Sequence, residues 1–171
     1  MIFIIGIDHR YQTGRGVNPS KFADFKKAIA DLLTKEKAWV LAEEFSLEAA
    51  AKCGITKSVS QELAENYRVR YILADPDSGE RKALGIRSRQ ETAESLGIYS
   101  IYAPSQDEEE KINAYHRDAD EEREKEWLRR IEPYLGQPMI FICGFSHAEP
   151  LSQLLKTHGH ECQINKLYAK V

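Results

Sequence analysis

The chain has no long hydrophobic run. Its longest apolar stretches, among them Ile2-Phe3-Ile4-Ile5 and Met139-Ile140-Phe141-Ile142-Cys143, reach four to five residues, against the roughly 20 that a membrane-spanning helix needs. No membrane association is expected. The first run follows Met1 directly, with no basic segment before it and no small-residue cleavage site after it, so no secretory signal is expected. Cysteine is scarce. Cys53, Cys143 and Cys162 are odd in number and widely spaced, and they make neither a Cys-x-x-Cys pair nor a zinc spacing. They read as reduced packing residues of a cytoplasmic protein, with Cys143 a small buried hydrophobe beside Gly144. Positive charge is not in excess: 24 Lys and Arg stand against 27 Asp and Glu, a net charge of -3. Phosphate binding needs a basic face, so nucleic acid is not expected as the main partner. A Walker loop and a His-Glu-x-x-His helix are both missing.

What is present is an alternation of strand-like and helix-like segments. It predicts a single α/β domain over residues 1–171, with a mostly parallel central sheet of about five strands and helices on both faces. The strands are expected at Ile2–Ile5, Ala38–Ala42, Val69–Leu73, Met139–Cys143 and Glu161–Leu167. A loop over residues 10–18 with two glycines leads to Asn18 as a cap and Pro19 in the first turn of a helix. Phe22, Phe25, Ile29, Leu32 and Leu33 recur along that helix at helical spacing. Such a strand-helix-strand unit is parallel and right-handed in nearly all proteins. Ser46 or Ser60 is expected to cap a short helix, and Asp75-Pro76-Asp77-Ser78-Gly79 is a turn. Residues 80–106 show no clear pattern, and Ile98–Tyr102 reads equally as strand, helix end or loop. A long charged helix over 106–131 is closed by Pro133 and Gly136, and a last helix runs from Pro150 to Gly159.

Four of the five expected strands exit into an ionisable residue: Asp8 and His9, Glu43 and Glu44, Asp75, and Ser146 and His147. Two of these exits share one pattern, Gly6-Ile7-Asp8-His9 and Gly144-Phe145-Ser146-His147. A glycine permits a sharp turn out of the strand. In a parallel sheet the strand ends share one edge, where open α/β sheets bind ligands. Histidine suits proton transfer and metal ligation near neutral pH. On the long helix the stripe Ile112, Tyr115, Ala119, Arg123, Trp127, Ile131 has a guanidinium within it. Facing the core, Arg123 needs a carboxylate, with Glu43 and Glu44 the candidates, or a bound anion; alternatively it snorkels to the helix edge. The remaining acids of this helix read as a solvated face. His116 is placed at the rim of the cleft, and His158 and His160 at an exposed helix end.

The paired Gly-x-x-His motifs, the strand-end glutamates and the segment Ile140-Phe141-Ile142-Cys143-Gly144-Phe145-Ser146-His147, with Leu154-Leu155 and Gly159 behind it, resemble the TraB/Tiki/erythromycin-esterase-like superfamily. The likeness covers a third to a half of the chain in about five short blocks. Its counterparts here are His9, Glu43 or Glu44, Arg123 and His147. The chain has Arg123-Glu124 where the family's helix often carries Arg-Asn. The resemblance implies hydrolysis without fixing the bond: Tiki-type members are described as manganese- or cobalt-dependent peptidases, erythromycin esterases as lactone hydrolases without a metal.

The leading expectation is thus a cytoplasmic hydrolase acting on a small-molecule or peptide substrate, with His9, Glu43, Glu44, Arg123 and His147 as its catalytic set. In a metal-dependent form, His9, His147, Asp8, Glu43 and Glu44 are the candidate ligands of Mn, Co, Fe or Zn. In a metal-free form, His9 or His147 acts as general base on water, oriented by Glu43 or Glu44, and Arg123 faces the anion. Two alternatives stand beside it. One is a two-metal nuclease or phosphodiesterase built on Asp8, Glu43 and Asp75; the other is a non-catalytic module that binds a small ligand. Alanine at His9 or His147 is expected to remove function and leave the fold.

Overall fold

Five runs rich in Ile, Leu and Val form strands: β1 (Ile2–Ile7), β2 (Val40–Glu43), β3 (Arg70–Leu73), β4 (Met139–Gly144) and β5 (Cys162–Tyr168). The computed structural model describes residues 1–99 and 104–168, the last three of these by backbone only. In it the strands make one parallel sheet in the order β3-β2-β4-β1-β5. Part of the ambiguous run Ile98–Tyr102 lies outside the described residues. Seven α-helices accompany the strands among the described residues: α1 (Pro19–Lys35), α2 (Leu47–Ala51), α3 (Val59–Tyr67), α4 (Ser78–Ala83), α5 (Arg89–Ser95), α6 (Gln106–Ile131) and α7 (Ala148–Thr157).

The helix starts follow from capping chemistry. Asn18 accepts from Ser20 N and Lys21 N with Pro19 in the first turn, as expected for α1. Ser46 caps α2, but Ser58 rather than Ser60 caps α3, its hydroxyl accepting from Gln61 N. The stretch without apolar periodicity is organised by reciprocal caps. Asp77 with Glu80, Ser88 with Glu91 and Ser105 with Glu108 open α4, α5 and α6 as capping boxes.

Side chains alternate across a strand, so each strand feeds two cores. Phe3, Ile5, Ile7, Leu41, Ile140 and Ile142 face α1 and α3, meeting Phe25, Ile29 and Leu33. Ile2, Ile4, Val40, Ala42, Met139 and Phe141 face α6 and α7, meeting Trp127, Ile131, Leu151 and Leu155. Helices therefore cover both faces of one sheet, the single-domain α/β arrangement read from the alternation. No described helix is long and apolar enough to cross a membrane. The stripe of α6 differs from the expected one by a residue: Tyr115 is exposed and His116 is buried in its place. Its acids are not all solvated either. Glu124 and Glu126 are buried; hydrogen bonds from the Arg129 and Arg130 guanidiniums hold the Glu126 carboxyl at about 2 despite its burial.

β1 and β4 are neighbours in register, Ile7 beside Gly144. From β1 the chain leaves through α1 on one face; from β4 it leaves through α7 on the other. The two exits part and leave a crevice between them, the position at which open α/β sheets take ligands.

Candidate functional site

The sheet order sets Asp75, Glu44, His147 and His9 in sequence along one edge, at the exits of β3, β2, β4 and β1. Strand alternation separates the adjacent glutamates. Glu43, the last residue of β2, points to the α1 and α3 face, where Tyr71 Oη (2.5 Å), Ser58 Oγ and Gln12 Nε2 (3.1 Å) donate to it. Burial among neutral donors pushes its carboxyl up, against those hydrogen bonds. Glu44 turns the other way into the crevice.

Glu44 is where the two histidines meet. His9 Nε2 lies 3.8 Å and His147 Nε2 3.9 Å from its Oε1. Oε1 also accepts from Arg123 Nη2 at 2.7 Å, and Oε2 accepts from Gly144 N at 2.8 Å. Burial alone would raise this carboxyl; Arg123, His9, His147 and the Gly144 N–H outweigh it and hold it at about 2. Glu44 is thus a fixed negative charge between two imidazoles.

Both rings are oriented by what holds their other nitrogen. Gln12 Nε2 donates to Glu43 Oε2 and to the Glu44 carbonyl, so its Oε1 is the atom left to face His9 Nδ1, at 2.9 Å. His9 Nδ1 is then the donor, and its Nε2 is the nitrogen turned toward Glu44. His147 Nδ1 lies 2.8 Å from Glu124 Oε1, which makes the same assignment for the second ring. Burial works against the His147 charge, but Glu124, Glu44 and Asp120 outweigh it and raise its pKa. His116 lies behind this group, Nδ1 2.9 Å from Thr92 Oγ1 and Nε2 3.6 Å from Asp120. Burial lowers its pKa.

The glycine of the second motif is needed for approach, not for a turn. Gly144 has φ -54 and ψ 141, which any residue adopts. A Cβ there would sit 2.8 Å from His9 Nε2. Gly6 likewise does not turn the chain, because β1 runs on to Ile7.

Arg123 faces the core and is paired, as the first of its two readings requires. Besides Glu44 it donates from Nε (3.2 Å) and Nη2 (2.9 Å) to Asp75 Oδ1, which also accepts from Trp127 Nε1 at 3.1 Å. Arg81 closes on the other Asp75 oxygen. Arg123 therefore staples two strand exits to α6, and its guanidinium is committed to carboxylates rather than turned to an oxyanion.

Two expected ligands are elsewhere. Asp8 caps the 3-10 turn after β1 and binds the Arg10 guanidinium at 2.9 Å, and Arg10 holds its carboxyl below the usual range. Glu43 is on the opposite face of the sheet. The metal set His9, Asp8, Glu43, Glu44, His147 is accordingly not assembled, nor is the Asp8, Glu43, Asp75 cluster, whose members have separate partners. Both Glu44 oxygens carry donors already, one of them a cation. Among the described residues no group of three or more His, Cys, Asp or Glu is arranged to hold a metal ion. The donors present do not fit a bound divalent cation as they stand.

A cavity of about 320 Å³ opens beside His9, Glu44 and Arg123, floored by Phe45, Ala49 and Ile55. A larger one of about 790 Å³ adjoins it, and Asp75 and Arg81 border both. Sequence reasoning missed Gln12 and Glu124, the two residues that orient the rings. Glu124 had a signal: it stands four residues after Asp120 and eight after His116, one helical row. Gln12 lies three residues after His9, the reach of one helical turn, but nothing in the residue type marks it. No family model, no curated protein and no solved structure matches this chain.

Proposed function

We propose that the protein is a hydrolase of the metal-free histidine and carboxylate type, related to the TraB/Tiki/erythromycin-esterase-like superfamily. The observation that carries this reading is the convergence of two imidazoles, each held at Nδ1, on one ionised carboxylate beside a cavity. His9 lines the cavity and is the general base. Its Nε2 takes a proton from water as the water oxygen bonds to the substrate acyl carbon; the acyl C–O or C–N bond then breaks, and the proton passes to the leaving group. Glu44 stabilises the imidazolium formed on His9. His147, held at Nδ1 by Glu124, flanks Glu44 on the other side, and Arg123 fixes Glu44 in place. The three described cysteines are unpaired, which accords with a cytoplasmic setting.

The test is a panel of aryl esters and anilides given to the wild type and His9→Ala, each with and without chelator, alongside elemental analysis of the protein exposed to manganese, cobalt, iron and zinc. Expected is turnover that survives chelation and is lost in His9→Ala. Stoichiometric metal that vanishes in His9→Ala would overturn the metal-free form. Saturable ligand binding with no turnover would make the site a binding module.

Gly144→Ala isolates the geometry. The backbone tolerates alanine, but the new methyl group meets the end of the half-exposed His9 ring. Expected is a loss of about 100-fold in rate, the usual cost of a displacement near 1 Å, with an unchanged thermal midpoint. A lowered midpoint with full specific activity would sink this account of the glycine.

A further inference from the structure

The loop Thr13-Gly14-Arg15-Gly16 has no role in the chemistry above, yet Arg15 lines the cavity beside His9. Its glycines hold φ of +74 and +69, backbone that favours glycine. Gly14 also packs against Phe22 so closely that a Cβ would lie 2.6 Å from the ring. The loop is thereby seated on α1 with Arg15 at its tip. Three guanidiniums and two carboxylates border the cavity: Arg15, Arg81 and Arg123 against Glu44 and Asp75. Arg81 and Arg123 are taken up by Asp75 and Glu44. Arg15 has no carboxylate within ion-pair distance among the described residues. The cavity thus presents one uncompensated positive charge in a chain of net charge -3, and Phe45, Ala49, Ala50 and Ile55 give it an apolar part of its lining.

We infer that this site selects small monoanionic substrates, a carboxylate seated on Arg15 and an apolar body against α2, with the scissile carbonyl at His9. The guanidinium fork matches a carboxylate in two parallel hydrogen bonds, and the cavity has the volume of a small-molecule site. This rests on the hydrolase reading for the reaction but not for the binding.

The experiment compares mono-p-nitrophenyl succinate with p-nitrophenyl butyrate, which have acyl chains of equal length, in wild type, Arg15→Ala and Arg15→Lys. The expected kcat/KM ratio in the wild type favours the succinate ester by about tenfold or more, the scale of one charge-assisted hydrogen-bonded contact. Arg15→Ala brings the ratio near one, chiefly through KM, and Arg15→Lys retains part of it. A wild-type ratio near one, or a ratio unmoved in Arg15→Ala, overturns the inference. If the wild type hydrolyses neither ester, the hydrolase reading fails separately, and calorimetric titration with butyrate and butyramide decides. Butyrate bound in preference to butyramide, with the preference lost in Arg15→Ala, sustains the inference; no preference or no binding overturns it.

Discussion

Arg123→Met is expected to destabilise the fold by about 3–5 kcal/mol, the usual cost of stranding a buried charge whose partner is removed. The residue is 9% exposed and donates to Glu44 and Asp75, while its guanidinium lies 5.3 Å from the centre of the Trp127 ring. Methionine restores the stem and none of the donors. Arg81 and Trp127 Nε1 still serve Asp75, so the greater exposure to loss falls on Glu44. Combining Arg123→Met with Glu44→Gln is therefore expected to recover part of the stability, because the uncompensated carboxylate is gone. Urea unfolding at pH 7 measures all three proteins; a double variant no more stable than Arg123→Met would show that packing, not charge, sets the cost.

The same ion pair fixes a pH window. Glu44 titrates at about 2 in the fold against an ordinary value of 4.5. A depressed carboxyl contributes stability that is present above the ordinary value and is lost as pH falls through the folded one. The contribution is about 3 kcal/mol, lost between about pH 4.5 and pH 2. Wild type should thus lose its advantage over Arg123→Met across this window. Parallel stability curves in acid would contradict the assignment of Arg123 as the cause.

The sheet and the edge that carries the crevice were legible because both rest on local signals. Runs such as Met139–Cys143 and Ile2–Ile5 are strands by composition, and β-helix-β order makes them parallel. A parallel sheet then collects His9, Glu44 and His147 at one edge whatever the strand order. Direction was not legible for the paired glutamates. Which of Glu43 and Glu44 enters the crevice depends on register, and a shift of one residue exchanges them. Asp8 was drawn away by Arg10, two residues on, since a local ion pair and cap satisfy the carboxylate without the site. On α6, a stripe counted mainly through apolar residues selected Tyr115, whereas a second, polar row is buried beside it: His116, Asp120 in part, and Glu124. The helical spacing of that row can be counted in the sequence, but that the row is buried follows only once its partner, here His147 from another element, is known. The short helices between residues 78 and 95 were written in capping boxes, which a search for apolar periodicity passes over.

The two histidines should respond differently to alanine, although their motifs match. His9→Ala is expected to lower kcat/KM by about 10³-fold, within the range for loss of a positioned general base, and to leave the thermal midpoint nearly unmoved. Its side chain is 58% exposed, and the hydrogen bond lost with it is the one to Gln12 Oε1. His147 is buried at 6%, and its Nδ1–H satisfies the buried Glu124. His147→Ala therefore costs stability as well, about 1–3 kcal/mol for an unsatisfied buried acceptor, contrary to the expectation that strand-exit histidines spare the fold. The pH dependence distinguishes the two costs. The His147 pKa is raised in the fold, so its charge-linked contribution is complete below the ordinary histidine value and fades as pH rises through the folded one. The gap in stability between wild type and His147→Ala should be widest near pH 5 and narrow on the alkaline side. Gln12→Leu completes the test: with Nδ1 released, the His9 ring loses its tautomer and orientation, and kcat falls more than KM rises. A Gln12→Leu enzyme of full kcat would mean that His9 is not held by Gln12 when it acts, and the hydrogen bonds from Gln12 to Glu43 and the Glu44 carbonyl would serve packing alone.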